Sequence, residues 1–127
     1  MIPKELNYEI ITKIYSKLLP YVLQTPIIAC SELINDIFNT KLYLKLEFLQ
    51  HAGVFKIRGA INNILNLSEK QKKIGVTAVS AGNHAIATAY AANKFNIKSK
   101  VFMYKNANNF RVQKVKSYNS NLILSEP

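Results

Sequence analysis

An alternation of strand-like and helix-like segments in the second half of the chain limits the folds available to it. Short apolar segments lie at residues 76–79, 100–103 and 122–124, and helix-like segments lie between them at 83–95 and 109–118. Helices that link consecutive strands in this way favour parallel pairing with right-handed crossovers. Residues 85–92 are so rich in alanine that the first helix can pack closely on a sheet. The pattern predicts an α/β fold with a parallel sheet.

The first half of the chain contains more isolated signals. Apolar periodicity predicts helices over 4–19, 31–38 and 57–65, and a half-exposed strand over 42–46. Pro20 ends the first helix, and Thr25-Pro26 marks an extended turn. Ser68 and Gln71 have the spacing of a capping box for a further short helix, which Gly75 ends.

Charge is distributed unevenly along the 127 residues, whose formal net charge is +10. Residues 1–69 are nearly neutral, whereas residues 70–127 contain ten basic side chains and a single acidic one, Glu126. Fifteen of the seventeen basic residues are lysine, and no basic motif is interleaved with aromatic residues. This composition disfavours nucleic-acid binding, because the bidentate contacts of arginine are nearly absent.

Targeting and cysteine signals are also weak. No apolar run is long enough to span a bilayer, and Glu5 and Glu9 lie where a signal peptide would be basic and then apolar. A cytoplasmic location without membrane contact is therefore expected. Cys30 is the only cysteine, which rules out an internal disulfide and a multi-cysteine zinc site. Glu47 and His51 alone would make a poor metal site, so we expect no metal.

Lys56 is the first candidate for chemistry. It follows Phe55 and directly precedes a predicted helix. An amine beside an aromatic ring can act as a nucleophile toward an aldehyde. A lysine at the start of a helix is more often an ordinary solvated residue, and the segment 53–60 taken alone favours that interpretation.

The segment Ser80-Ala81-Gly82-Asn83-His84 is the second candidate. It joins a predicted strand to the alanine-rich helix, so unpaired backbone N–H groups should converge there and favour a carboxylate or phosphate. Gly82 would permit an unusual backbone angle or a close ligand approach. The alternative is an ordinary helix start capped by Ser80 or Asn83.

Taken together, Lys45-Leu46-Glu47, Gln50, GVFKIRGA at 53–60 and SAGNHA at 80–85 resemble the fold-type II pyridoxal-phosphate enzymes, specifically threonine/serine dehydratases and serine racemase. The resemblance extends diffusely from Thr25-Pro26 to the last strand. It implies a three-layer α/β architecture with a parallel sheet, similar to the tryptophan synthase β subunit. Residues 1–127 would form the N-terminal part of the catalytic domain.

The resemblance also implies roles for individual residues. Lys56 would bind the aldehyde of pyridoxal 5'-phosphate and then remove the substrate α-proton, Phe55 would pack near the cofactor, and Asn83 would bond its ring hydroxyl. The loop holding the substrate carboxylate would consist of Ser80, Ala81, Gly82, Asn83 and His84. The implied reaction is β-elimination of water from L-threonine or L-serine, which yields a 2-oxo acid and ammonia. Isoleucine biosynthesis is one possible setting.

One choice within the family, at Ala81, and three departures from the family pattern affect this expectation. Ala81 stands where racemase-like members tend to have a serine, which favours the dehydratase. Val54 replaces a usual serine beside the reactive lysine. Asn119-Ser120 replaces a usual Gly-Ala pair before the last strand, and Tyr104 replaces a common proline.

The family's phosphate-binding loop of consecutive glycines has no counterpart in this sequence, whose glycines are all isolated: Gly53, Gly59, Gly75 and Gly82. We therefore expect a truncated enzyme with little or no activity as a lone chain. It could be complemented by a C-terminal fragment or form a homo-oligomer. The alternatives are a non-catalytic binding or regulatory module and a serine racemase-like enzyme.

Overall fold

The computed structural model describes residues 7–126, apart from the side chains of residues 33 and 35. The helices are α1 (Tyr8–Leu18), α2 (Glu32–Phe38), α3 (Ile57–Leu65), α4 (Glu69–Ile74), α5 (Asn83–Lys94) and α6 (Asn109–Lys116). The strands are β1 (Ile27–Ala29), β2 (Tyr43–Lys45), β3 (Val76–Val79), β4 (Ser99–Tyr104) and β5 (Asn121–Ser125). Two short 3₁₀ turns, Glu47–Leu49 and His51–Gly53, lie between β2 and α3.

The predicted parallel sheet is confirmed. Strands β3, β4 and β5 lie side by side in chain order and run parallel, with Ala78 opposite Val101 and Val101 opposite Leu122. The connecting helices α5 and α6 match the predicted segments to within two residues at each end. Alternating strands and helices in the second half therefore produced the α/β unit that their spacing predicts.

Helix α5 is the centre of the core. It packs on β3 and β4 on one side and on α3 on the other, so the sheet, α5 and α3 form successive layers. Its buried residues lie all around the helix: Ala85, Ile86, Ala87, Thr88, Ala89, Ala91 and Ala92. Small side chains permit this close approach from two sides, as the alanine content predicts. The opposite face of the sheet carries Val79, Phe102 and Ile123 in one row, and Val79 is 79% exposed.

The first half of the chain agrees only in part with the sequence-based predictions. Helix α1 ends at Leu18, two residues before Pro20, and the predicted residues 4–6 lie outside the described residues. Strand β1 was not predicted, because three residues after a proline show no alternation; it pairs antiparallel with β2. The strand predicted over 42–46 is present as β2, but it is shorter than predicted and its three residues are all exposed.

Several helix-to-strand turns place a residue in the left-handed region, among them those at Gly75 and Asn119. The predicted capping box of Ser68 and Gln71 is present, and α4 ends at Gly75 with φ 102°. A Cβ on Gly75 would lie 2.5 Å from the carbonyl oxygen of Lys98, so glycine is required there. Asn119, at the position of the family's usual glycine, also has a positive φ of 55°. Asparagine tolerates this conformation better than most residues.

Candidate functional site

The turn between β3 and α5 lies at the carboxyl edge of the sheet. The Ser80 N–H donates to the carbonyl of Phe102 at 3.0 Å, and the Ser80 hydroxyl accepts from the N–H of Gly82 at 3.2 Å. Ser80 therefore closes its own turn and does not cap α5. The alternative of capping by Ser80 or Asn83 is wrong, because the N-cap residue is Gly82 and makes no side-chain capping bond.

Side chains of Asn7, Ser68 and Asn108 cap α1, α4 and α6, whereas α5, like α3, begins without a side-chain cap. The N–H groups of Ala85 and Ile86 donate to the carbonyl of Gly82, whereas those of Asn83 and His84 have no acceptor within residues 7–126. Two free N–H groups at the positive end of a twelve-residue helix suit an anion such as a carboxylate.

Gly82 contributes by lacking a side chain. Its φ of −127° is extended backbone that any residue adopts, so the expected unusual angle is absent. A Cβ there would approach nothing closer than the Ser80 hydroxyl oxygen, at 3.9 Å. The helix start is therefore open to a ligand, and the close-approach interpretation of Gly82 is the one that fits this geometry.

Lys56 lies at the N-cap position of α3 and is exposed. Its Nζ atom lies 5.1 Å from the ring centroid of Phe55, which is itself 52% exposed. Val54 and Ile57 on either side are buried in the core. The backbone that carries the amine is thus anchored while the amine and the aromatic ring remain accessible.

A cleft of about 460 Å³ joins the loop before Lys56 to the start of α5. The following residues line it: Ala52, Gly53, Val54, Asn83, Ile86, Asn108, Phe110, Arg111 and Lys114. Two of these side chains are cationic and none is acidic. Of the candidate residues identified from the sequence, the cleft includes Asn83 alone.

Ser80 and His84 point to other cavities. Ser80 lines a cavity with Phe102 and Tyr104, whereas His84 lines one beside Asn63 of α3. The five-residue loop therefore lies along three cavities, and Asn83 is the residue that it contributes to the cleft.

Sequence reasoning missed Arg111 and Lys114. Both lie on α6 and reach the cleft, and Arg111 Nη1 donates to the carbonyl of Ala81 at 3.5 Å. The only available signal was their spacing of three residues on one predicted helix, which is common on solvated faces. Their cationic groups add to the positive potential at the start of α5.

An ion pair joins the two ends of the segment 48–57, which contains Lys56 and is called the lysine loop below. Arg58 Nε and Nη2 donate to the two carboxylate oxygens of Glu47 at 2.9 and 2.7 Å. These bonds lower the pKa of Glu47 to about 2, with the Thr25 hydroxyl and the charges of Arg58 and Lys45 acting in the same direction and burial opposing them. The bond to Glu47 raises the pKa of Arg58. His51 stacks on Tyr90, with ring centroids 5.9 Å apart.

The fold is an α/β unit in which the loop before Lys56 and the start of α5 line one cleft. The chain belongs to the pyridoxal-phosphate-dependent enzyme family, whose model matches residues 18–127. Its homologues include threonine dehydratases and serine racemases, and its structural neighbours are fold-type II enzymes.

Individual relatives cover most of this chain. Phenylserine dehydratase of Ralstonia pickettii is 40% identical over 87% of the chain, and L-threonine ammonia-lyase of Thermotoga maritima is 40% identical over 81%. The structure of maize serine racemase superposes with a TM-score of 0.85 at 38% identity, over 94% of the chain. The chain spans 34%, 26% and 36% of these three proteins, respectively.

The residues described here fit part of the family's cofactor. An aldehyde needs an accessible amine, which Lys56 offers, and a pyridine ring needs an apolar face, which Phe55 offers. Asn83 supplies an amide at the edge of the cleft.

Within residues 7–126 no helix has both the length and the apolar character needed to cross a bilayer.

Proposed function

We propose that this chain supplies the lysine and carboxylate-binding part of a pyridoxal-phosphate-dependent threonine/serine dehydratase. The uncapped start of α5 is the observation that carries the proposal, because it shares a cleft with the loop that leads to Lys56. Two N–H groups there match the two oxygens of an amino-acid carboxylate.

Each residue has a definite task in this proposal. The N–H groups of Asn83 and His84 bind the substrate carboxylate, and the loop Ser80, Ala81, Gly82, Asn83 and His84 shapes that site. Phe55 packs on the cofactor ring, and the Asn83 amide bonds its hydroxyl group. Lys56 Nζ would hold the cofactor aldehyde until the amine of the substrate displaces it, and the freed Nζ would then accept the α-proton. When bound, pyridoxal phosphate supplies the electron sink that stabilises the charge left on the α-carbon. Loss of water from the β-carbon of L-threonine or L-serine would give an enamine, and hydrolysis of this enamine by one water would release a 2-oxo acid and ammonia.

Ala81 supports dehydration over racemisation. Inversion at the α-carbon needs a second acid or base on the opposite face, and the methyl group of Ala81 can neither donate nor accept a proton. Serine racemase-like activity is the second candidate, since proteins named serine racemase are 38% identical to this chain.

Residues 1–127 would then be the N-terminal part of the catalytic domain, and the ligands for the cofactor phosphate would come from other polypeptide, because the four glycines are isolated. The row of exposed Val79 and half-buried Phe102 and Ile123 is a suitable contact for a complementing C-terminal fragment or for a second copy. The same surface would serve a non-catalytic regulatory module that binds an intact homologue. A cytoplasmic location and a role in isoleucine biosynthesis remain predictions.

The lysine assignment can be tested with absorbance spectra of the purified chain and pyridoxal phosphate. Wild-type protein should show the absorbance of a lysine-bound cofactor, Lys56→Ala should lose it, and Lys94→Ala, which removes an exposed lysine at the end of α5, should keep it. An unchanged spectrum in Lys56→Ala would reject the assignment.

The carboxylate assignment has its own test at Gly82. A Gly82→Asp side chain would occupy the open helix start with its own carboxylate, whereas Gly82→Ala adds only a methyl group in free space. In NMR titrations with L-threonine and pyridoxal phosphate, the amide signals of Asn83 and His84 should shift in wild type and Gly82→Ala but not in Gly82→Asp. A wild type whose two amides do not respond would eliminate the carboxylate site.

A further inference from the structure

The ten residues that lead to Lys56 and the start of α3 are closed into a loop by one side-chain pair. Glu47 lies in the first 3₁₀ turn and Arg58 in the first turn of α3, and two parallel hydrogen bonds of 2.9 and 2.7 Å join them. The two side chains are 18% and 24% exposed, respectively. A bidentate pair of this kind fixes direction as well as distance, because the guanidinium fork and the carboxylate are both planar.

The segment Leu23–Thr25 ties the same loop to the body of the protein. The Thr25 hydroxyl donates to Glu47 Oε1 at 2.5 Å, and the Leu23 carbonyl accepts from Arg58 Nη2 at 3.1 Å. Gln50 accepts from the Leu23 N–H and donates to its carbonyl, both at 2.8 Å. Thr25 and Gln50 are buried, so their own bonds are partly shielded from water, whereas the bond from Arg58 to Leu23 is exposed. We call Thr25, Glu47, Gln50 and Arg58 the loop clamp.

The loop that is held in this way contains an unfavourable backbone. Ala52 has φ 59° and Gly53 has φ 71°, which places a residue with a Cβ in the left-handed region immediately before a glycine. Such conformations persist where surrounding contacts over-determine them. The Gly53 N–H donates to the Gln50 carbonyl at 2.7 Å, so the turn itself begins at a member of the loop clamp.

We propose that Glu47 and Arg58 are positioning residues for Lys56, which set the place of its amine by closing the loop of residues 48–57. This role presupposes the function proposed above for Lys56. Buried Val54 and Ile57 anchor the loop to the core, while the ion pair sets its geometry from the opposite side. Reaction of an amine with a bound aldehyde depends steeply on position, so a loosened loop lowers the rate at Lys56 more than at other lysines.

The test measures where pyridoxal phosphate is trapped on the whole 127-residue chain. After brief incubation and borohydride reduction, mass spectrometry of the peptides gives the ratio of adduct on Lys56 to adduct on Lys94. Glu47→Gln removes the charge and keeps the shape, and we expect it to lower the ratio about tenfold. Glu69→Gln is the matched control, because it breaks the exposed pair with Lys72, and should leave the ratio unchanged.

Circular dichroism at the assay temperature separates positioning from loss of fold. Thr25→Val and Thr25→Ser provide a milder pair if Glu47→Gln does not fold: valine removes the hydroxyl bonded to Glu47, whereas serine keeps it. The proposal requires a lower ratio for Thr25→Val and recovery for Thr25→Ser. A folded Glu47→Gln or Thr25→Val with the wild-type ratio would overturn the positioning role alone. A wild type without preference for Lys56 would overturn the proposed function and the positioning role with it.

Discussion

Replacing Glu47 with glutamine should destabilise the protein by an amount that depends on pH. Hydrogen bonds from Arg58 lower the pKa of the Glu47 carboxyl from 4.5 to about 2. At about 1.4 kcal/mol for each pH unit, this corresponds to about 3 kcal/mol of stability at pH 7. Because water reaches a side chain that is 18% exposed, we expect about 2 kcal/mol after screening.

The sign of the pH dependence follows from the lowered pKa. A carboxyl whose pKa is lower in the folded state stabilises the protein above its unfolded pKa, and that stability is lost as pH falls toward the folded pKa. The difference in unfolding free energy between wild type and Glu47→Gln should therefore be constant above about pH 5.5 and shrink between about pH 5 and pH 2. Other carboxyl groups titrate in both proteins and cancel in this difference.

Urea unfolding followed by circular dichroism at several pH values between 7 and 2.5 measures this difference. Glu69→Gln is the control, since its carboxyl is 82% exposed and its removal should have no measurable effect at any pH. A difference between wild type and Glu47→Gln that stays the same from pH 7 to pH 3 would refute the reasoning, because the loss would then come from packing and not from the charge of Glu47.

Two further predictions concern the backbone and the core. Gly75→Ala should destabilise the protein by more than about 2 kcal/mol, because the added Cβ would lie 2.5 Å from the Lys98 carbonyl oxygen. Gly59→Ala, which adds a methyl group in open space in α3, should stabilise the protein by about 0.5–1 kcal/mol. Equal urea midpoints for the two variants would contradict this prediction. Ile61→Ala, at a fully buried position, should lower the unfolding free energy by about 2–5 kcal/mol. Ile74→Ala, at a position that is 72% exposed, should leave the thermal midpoint nearly unchanged. A similar loss of stability in both variants would show that the core is misassigned.

Local sequence signals succeeded where the determining contacts are local. The capping box of Ser68 and Gln71 spans three residues, and its hydrogen bonds form as predicted. The alternating segments of the second half became a parallel sheet with α5 in close contact. The same reasoning failed at β1, a strand of three residues whose existence depends on pairing with β2 sixteen residues away.

In the candidate site, too, local features were predicted correctly and contacts between distant segments were not. Motifs around Lys56 and Ser80 identified the family, but the interpretation of Ser80 or Asn83 as a helix cap was wrong. Capping of α5 by Ser80 would need its hydroxyl to accept from an N–H group inside the helix. The Ser80 hydroxyl instead accepts from the N–H of Gly82. Arg111 could not be placed near this loop from sequence, because its contact with Ala81 spans thirty residues.

The sequence by itself determined the α/β class, the order of the strands and helices in the second half, and the family, since these follow from apolar periodicity and from two short motifs. Only the tertiary structure decided that α5 begins without a cap, that Arg111 and Lys114 face the same cleft as Asn83, and that Glu47 holds Arg58 beneath the lysine loop. The physical reason is that local periodicity sets which face of an element is buried, whereas hydrogen-bond partners between distant segments depend on how those segments pack together.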